Sequence, residues 1–143
     1  MYKKIILGTA QFGMRYGISN QKGKTTKNEI RKILNYLSRK KITYLDTASS
    51  YKKSELEIGN YIKINKKKFK IITKYGQASG DIQKQFSKTV KLVGQNPDTI
   101  FAHTAKDYLS KKFQKNIDIL KKNFSITNIG VSLYNPNDLF KII

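Results

Sequence analysis

The chain has 143 residues, a length that fits one domain of common size. It contains no cysteine, which excludes disulfide bonds and thiolate metal sites and favours a reducing, cytoplasmic compartment. There are 29 Lys and Arg residues against 9 Asp and Glu residues, so the formal net charge is +20, and no run of about 18 apolar residues indicates a membrane span.

The positive charge alone predicts attraction to polyanions such as nucleic acids or anionic lipids. Only Arg15, Arg31 and Arg39 are arginines, although arginine is the residue that makes bidentate contacts to bases and phosphates. The lysines are spread along the chain, and the longest basic clusters are residues 39–41 and 66–68. We therefore expect no specific nucleic-acid partner, because such a site requires clustering on one face. We expect no membrane partner, because the sequence has no long apolar run.

The N-terminal part of the chain predicts a buried strand, a glycine-rich loop and an amphipathic helix. Residues 1–8 are interpreted as the first strand, since the apolar run Ile5-Ile6-Leu7 before Gly8 is too short for a signal peptide. Residues 26–29 match a capping box, with Thr26 as the N-cap and Glu29 at the third helical position. The apolar stripe that follows at helical spacing consists of Ile30, Ile33, Leu34 and Leu37.

The rest of the chain predicts strands that alternate with helices. Strands are predicted at residues 42–45, 69–73, 99–102 and 126–133. Helix starts are predicted at Ser54-Glu55, after Asp81, before the stripe of Phe113, Ile117 and Leu120, and at Asn135-Pro136. Repeated βα units imply an α/β protein with a parallel sheet in the strand order 1-2-3-4-5.

Polar side chains follow several of these strands at their carboxyl ends. Asp46, Lys74 and His103 each close a predicted strand, and Tyr51 lies just past one. In a parallel α/β fold this edge collects catalytic groups, so we expect the four side chains to converge. Each alone also has an ordinary structural explanation, such as turn capping, surface exposure or packing.

Together the four side chains suggest an acid–base mechanism. Tyr51 is a proton donor with a reference pKa of about 10, and a close Lys74 ammonium is expected to lower that pKa. The Asp46 carboxylate would keep Lys74 charged and in place, and the His103 imidazole can orient a substrate carbonyl. This set suits the reduction of a carbonyl group, with Tyr51 as the general acid.

Several motifs of the chain resemble the aldo/keto reductase family. The matching pieces, in order, are residues 7–13, 45–48 with Tyr51, 54–59, 73–74, 101–103 and 130–132. The resemblance implies a TIM barrel, an NADPH or NADH cofactor, a small carbonyl substrate and no metal. It implies a catalytic tetrad of Asp46, Tyr51, Lys74 and His103. It also implies that Gly8, Thr9 and Asp46 line the nicotinamide side and that Ser132 contacts the carboxamide.

Two residues depart from the family pattern. Lys52 stands where the family usually has glycine after the catalytic tyrosine, so the loop around Tyr51 is expected to differ. Leu133 stands where an asparagine commonly follows the Gly-Val-Ser serine, which removes one partner of the carboxamide.

The length also departs from the family, because a full barrel takes about 250 residues. We expect a truncated barrel of about five strands and four to five helices, forming a single partial domain over residues 1–143. Open sheet edges favour self-association, and inward apolar residues at 5–7, 71–72, 100–101 and 129–131 are expected to lack partners. Two other hypotheses stay open: a catalytically inactive reductase fragment and a basic polyanion-binding module.

Overall fold

The protein is a five-stranded parallel sheet covered by helices, as seen in a computed structural model that describes residues 5–76, 80–124, 126 and 128–143. The strand order is β1-β2-β3-β4-β5, which confirms the predicted order and the α/β barrel-type fold. The strands are β1 (Ile6–Gly8), β2 (Tyr44–Asp46), β3 (Lys70–Tyr75), β4 (Thr99–Ala102) and β5 (Asn128–Val131).

Strand boundaries differ from the prediction where tertiary contacts decide them. Ile42 was predicted to begin the second strand, but its N–H donates to the Leu37 carbonyl, 3.0 Å away, and closes the preceding helix. The third strand runs on to Tyr75, so Lys74 lies inside it. The fifth strand is shorter than residues 126–133, and positions 125 and 127 lie outside the described residues, as do positions 1–4 of the predicted first strand.

Four helices of 12 or 13 residues follow the strands, and two single-turn helices lie at the carboxyl ends of β1 and β4. The helices are α1 (Ala10–Gly13), α2 (Lys27–Arg39), α3 (Ser54–Asn65), α4 (Ile82–Val93), α5 (Ala105–Tyr108) and α6 (Lys111–Asn123). The long helices agree with the predicted four to five. The predicted start at Asn135 opens a 3₁₀ helix, Pro136–Lys141, rather than an α-helix.

Two predicted helix starts are explained by side-chain caps. Thr26 Oγ1 accepts from the N–H of Glu29 at 3.3 Å, and Glu29 Oε2 accepts from the N–H of Thr26 at 3.0 Å, which completes the capping box of α2. Asp81 Oδ1 accepts from the N–H of Gln83 at 2.8 Å at the start of α4. These caps are encoded within a few residues, so the sequence alone could predict them.

The apolar core consists of two clusters beneath the helices. The first joins α2, α3 and the last residue of α4 to β2 and β3, and its residues include Leu34, Leu37, Leu45, Ile58, Ile71 and Val93. The second joins α4 and α6 to β3 and β4, and its residues include Tyr75, Phe86, Ile100, Phe113, Ile117 and Leu120. A Cβ at Gly59 of α3 would lie 1.9 Å from the Leu92 carbonyl oxygen of α4, so the two helices meet backbone to backbone.

The predicted lack of partners for inward apolar residues is only partly correct. Ile5, just before the edge strand, and Ile6, at its start, are 46% and 51% exposed, as expected. Ile71 and Ile100 are fully buried because they belong to the two core clusters, so the expectation was wrong for them. Among the described residues β1 pairs only with β2 and β5 only with β4, and self-association through these edges stays a prediction.

Candidate active site

The register of β2 and β3 brings Asp46 and Lys74 together at the carboxyl edge. Asp46 is paired with Ile72, and Lys74 lies two residues further on, so the two side chains are diagonal neighbours on one face. Lys74 Nζ donates hydrogen bonds to Asp46 Oδ1 and, at 3.0 Å, to the Thr47 carbonyl. Lys74 is only 6% exposed, so its ammonium is held by the carboxylate rather than by water.

Tyr51 lies beside this ion pair, in the turn between β2 and α3. Its N–H donates to the Ala48 carbonyl at 3.0 Å, and its carbonyl accepts from the N–H of Ser54 at 2.9 Å. Lys74 Nζ is 5.2 Å from the centroid of the Tyr51 ring, within the range of a cation–π contact. Tyr51 was predicted to lie just past a strand end, and the turn brings its ring next to Lys74 at the carboxyl edge.

His103 completes the group at the end of β4. Its N–H donates to the Tyr75 carbonyl at 2.9 Å, which continues the β3–β4 ladder by one residue. The imidazole meets the Tyr51 ring edge-on, with centroids 6.5 Å apart, and lies parallel to the Tyr134 ring at 6.3 Å. The structure thus brings Asp46, Tyr51, Lys74 and His103 together, as the strand-end pattern indicated.

The pKa of Tyr51 is shifted in the direction opposite to the expected one. Burial raises the pKa of Tyr51 to about 12, and the Asp46 carboxylate and the Tyr16 and Tyr134 phenols add to that increase. The lowered pKa expected from the sequence rested on the Lys74 ammonium alone. In the structure that ammonium is bound to Asp46, whose negative charge opposes a phenolate. Tyr51 therefore keeps its proton at neutral pH.

The pKa of His103 is lowered from its ordinary value. Burial is the main cause, and the Lys74 ammonium adds to it, whereas Asp107 and Asp46 act weakly in the other direction. Because the ordinary pKa of histidine is about 6.5, the imidazole is neutral at pH 7. A neutral imidazole offers one N–H donor and one acceptor nitrogen.

A buried chain of hydroxyl groups holds the ends of β1 and β2 to the start of α3. Thr9 Oγ1 donates to the Asp46 carbonyl at 2.9 Å, and Ser54 Oγ donates to the Thr9 carbonyl at 2.9 Å. Thr47 Oγ1 donates to Ser54 Oγ at 3.1 Å. None of these contacts could be read from the sequence, although Ser54 belongs to the matched motif. The Thr9 hydroxyl therefore makes its hydrogen bonds within the protein.

The predicted cofactor side is open above β1. Gly8 has no heavy atom within 4 Å of the position a Cβ would take, which leaves a bare surface for a flat ring. A cleft of about 420 Å³ borders this surface, and its lining includes Gly8, Thr9, Gln11, Tyr16, Asp46 and Tyr51. Ser132 lies across the sheet, where its N–H donates to the Ala102 carbonyl at 3.0 Å. The open surface at Gly8 thus leaves room for a flat ring, and Thr9 and Asp46 border the same cleft, whereas Ser132 is not part of its lining.

Lys52, the departure from the family glycine, adopts a backbone conformation that favours glycine. Its φ is +47°, in the left-handed region that costs a non-glycine residue about 1–2 kcal/mol. The loop around Tyr51 thus keeps a glycine-like turn with a lysine in it, and its exposed side chain leaves the turn hydrogen bonds intact.

A buried carboxyl group lies behind the site and was not singled out from the sequence. Glu55 Oε1 accepts from the hydroxyls of Thr73 at 2.9 Å and Thr89 at 3.0 Å. Burial raises the pKa of Glu55, although these two hydrogen bonds oppose the increase. This group ties α3 to β3 and α4.

The part of the chain that the structure describes holds neither a metal-binding cluster nor a membrane-spanning helix. No group of three or more His, Asp or Glu side chains that could hold a metal ion occurs in it. None of its helices is long and apolar enough to cross a membrane.

Comparisons with solved structures support the fold. Two structures of proteins from Pseudomonas aeruginosa assigned to the aldo-keto reductases are 20% identical to this chain, with TM-scores of 0.74 and 0.72. Each match covers 89% of this chain and 54% or 53% of the other. The apo form of an aldo-keto reductase from Bacillus halodurans is 22% identical, with a TM-score of 0.61, over 82% of this chain and 42% of the other.

The chain spans about half the length of the solved structures it matches, and at this identity the likeness shows the fold alone. A search of curated proteins finds no match. The model of the aldo/keto reductase family, however, matches residues 4–142. Because that match extends over nearly all of the sequence, the chain belongs to the aldo/keto reductase family.

Proposed function

We propose that this chain carries the acid–base site of an NAD(P)H-dependent reduction of an aldehyde or ketone to an alcohol. The proposed catalytic residues are Asp46, Tyr51, Lys74 and His103. One observation carries the proposal: Asp46 holds the buried Lys74 ammonium 5.2 Å from the Tyr51 ring centroid. Family membership supports oxidoreductase chemistry in general.

Tyr51 is proposed as the general acid. When bound, a reduced nicotinamide supplies the hydride that reduces the carbonyl carbon. Negative charge then develops on the carbonyl oxygen, and Tyr51 donates its phenolic proton to that oxygen. The phenol holds this proton at neutral pH because its pKa is about 12. The Lys74 ammonium stabilises the phenolate that remains, and Asp46 fixes the ammonium in place.

His103 is proposed to orient the substrate. Its lowered pKa keeps the imidazole neutral, so that one ring N–H can donate to the substrate carbonyl oxygen. The edge-on contact between its ring and the Tyr51 ring supports this role. The carbonyl oxygen of the small-molecule substrate would therefore lie where the Tyr51 hydroxyl and a ring N–H of His103 can both reach it.

The cofactor-binding residues are proposed from the same edge. Gly8 leaves an open surface beside the cleft, and Thr9 and Asp46 shape that surface through their mutual hydrogen bond. Ser132 is proposed to meet the carboxamide. We propose that residues 1–143 act as one cytoplasmic domain, in keeping with the absence of cysteine from the sequence.

The test measures cofactor binding and turnover separately on the 143-residue chain. NADPH and NADH binding is followed by cofactor fluorescence, and turnover is followed with benzaldehyde as the probe. Tyr51→Phe should remove most turnover and leave cofactor binding nearly unchanged, because only the acidic hydroxyl is lost. Equal turnover in Tyr51→Phe would contradict the acid role. Cofactor binding without turnover in the wild type would favour the inactive alternative.

A further inference from the structure

The two basic triplets of the sequence lie at the same edge of the sheet. Residues 39–41 include the last residue of α2 and the start of its connection to β2, and residues 66–68 lie in the connection from α3 to β3. Because β2 and β3 are parallel neighbours with Tyr44 opposite Lys70, both connectors enter the sheet at its amino edge. This edge is opposite to the one that carries Asp46 and Lys74. We call these six exposed residues the amino-edge patch: Arg39, Lys40, Lys41, Lys66, Lys67 and Lys68.

The amino-edge patch has few carboxylates near it in the chain. The sequence has no Asp or Glu between Glu29 and Asp46, and none between Glu57 and Asp81. The ion pairs formed by the described residues involve Lys24, Lys74 and Lys141, and none involves the patch. Asp98 also lies near this edge, where its carboxylate accepts from the N–H of Ile71 at 2.9 Å. The patch is therefore a local concentration of positive charge.

Aromatic rings lie among these cations. Lys40 Nζ is 5.8 Å from the centroid of the Tyr36 ring, and Tyr36 is 49% exposed. Lys70 Nζ is 5.2 Å from the Tyr44 ring centroid and donates to its hydroxyl at 3.3 Å. A surface that binds single strands without sequence preference combines two features. Its lysines contact the phosphate backbone, and its exposed aromatic rings stack on the bases.

We propose that the amino-edge patch binds single-stranded nucleic acid through its phosphates, without sequence specificity and separately from the candidate active site. Lysines make point-charge contacts to phosphates, whereas base reading favours bidentate arginine, and the patch has five lysines and one arginine. The exposed Tyr36 ring favours unpaired bases over a duplex, whose bases are already stacked.

The test compares two variants that remove the same charge from different places. The patch variant is Lys40→Gln/Lys67→Gln/Lys68→Gln, which avoids the left-handed positions Lys41 and Lys66. The control variant is Lys111→Gln/Lys112→Gln/Lys115→Gln, at the exposed start of α6 near the carboxyl edge. Fluorescence anisotropy with a labelled oligothymidylate of about 15 nucleotides gives the affinity between about 50 and 200 mM salt. Circular dichroism checks that both variants fold.

We expect the patch variant to bind at least tenfold more weakly and to reduce the slope of log affinity against log salt by about 2, because each single-strand phosphate contact contributes about 0.7. The control variant should change that slope by less than half as much. Equal losses in both variants would overturn the proposal in favour of diffuse attraction by the net charge. Equal affinity for a duplex of the same length, or patch-dependent binding to phosphatidylserine vesicles alone, would also overturn it.

Discussion

Gly13 lies so close to the main chain of Tyr51 that a Cβ at position 13 would come within 1.7 Å of the Tyr51 carbonyl oxygen. The same Cβ would lie 2.6 Å from the backbone nitrogen of Ser54. Backbone atoms cannot swing aside as the end of a flexible side chain can. The single turn of α1 thus packs directly against the backbone of the turn that contains Tyr51.

Gly13→Ala should therefore displace the turn that contains Tyr51. We expect a loss of about 2–3 kcal/mol in the free energy of unfolding, at the upper end of overpacking effects, and a fall in any turnover that depends on Tyr51. Urea unfolding measures the first effect. Gly8→Ala is the matched stability control, since a Cβ there meets nothing within 4 Å. Equal stability of the two variants would contradict the packing argument.

Lys52→Gly should stabilise the protein although it removes a side chain. A lysine at φ +47° is strained by about 1–2 kcal/mol, and part of that gain is lost to the greater entropy of glycine in the unfolded chain. We expect a net gain of roughly 0.5–1 kcal/mol in the free energy of unfolding. Lys53→Gly is the control, because the φ of Lys53 is −93° and glycine gives no relief there. A loss of stability in Lys52→Gly would show that the turn is not strained.

The buried Asp46–Lys74 pair should respond asymmetrically to the loss of each partner. Asp46→Asn leaves the buried Lys74 ammonium without its counter-charge, so we expect a cost of about 2–4 kcal/mol. Lys74→Met should cost less, because the Asp46 side chain is 31% exposed and water can solvate its charge. Chemical denaturation of both variants and of the double variant completes a double-mutant cycle. A larger cost for Lys74→Met would contradict the assigned burial.

The stability of the protein should depend on pH through Glu55. Its pKa is raised in the folded state, so its contribution to stability is complete below the ordinary pKa near 4.5 and is lost as pH rises through the raised pKa. Glu55→Gln should therefore gain stability relative to wild type as pH increases. The sign is opposite for Glu29, whose pKa is lowered by hydrogen bonds from Thr26. Glu29→Gln should lose stability relative to wild type over the same scan of urea unfolding.

The phenol of Tyr51 should lose its proton at a higher pH than an ordinary tyrosine does. Because burial raises its pKa to about 12, the difference in ultraviolet absorbance between wild type and Tyr51→Phe should show no phenolate at pH 10, where an ordinary tyrosine is half ionised. Phenolate in that difference spectrum near neutral pH would instead support the lowered pKa expected from the sequence. This readout does not depend on cofactor or turnover.

Features encoded by neighbouring residues could be predicted from the sequence, whereas features that depend on distant contacts could not. The capping box of Thr26 and Glu29 and the strand-end positions of Asp46 and His103 are local, and the sequence analysis identified them. The single turn of α5 has a Thr104 cap that accepts from the N–H of Asp107, but four residues are too few for a periodic signal. The direction of the Tyr51 pKa required its burial, which no pattern gives.

The clustering of positive charge is another feature that depends on distant contacts and could not be predicted from the sequence. In the sequence the lysines are spread along the chain, and residues 39–41 and 66–68 are separated by a strand and a helix. Parallel pairing of β2 with β3 brings both connectors to one edge. Only the strand order and register reveal that clustering.

The backbone contact between Gly59 and Leu92 has a consequence for how the protein unfolds. The two apolar clusters have separate members, and each could in principle open by itself. The contact locks α3 of one cluster onto α4 of the other, and Val93, next to Leu92, packs in the first cluster. Amide hydrogen exchange in β2 and in β4 should therefore report a single opening free energy, so that this short sheet behaves as one cooperative unit.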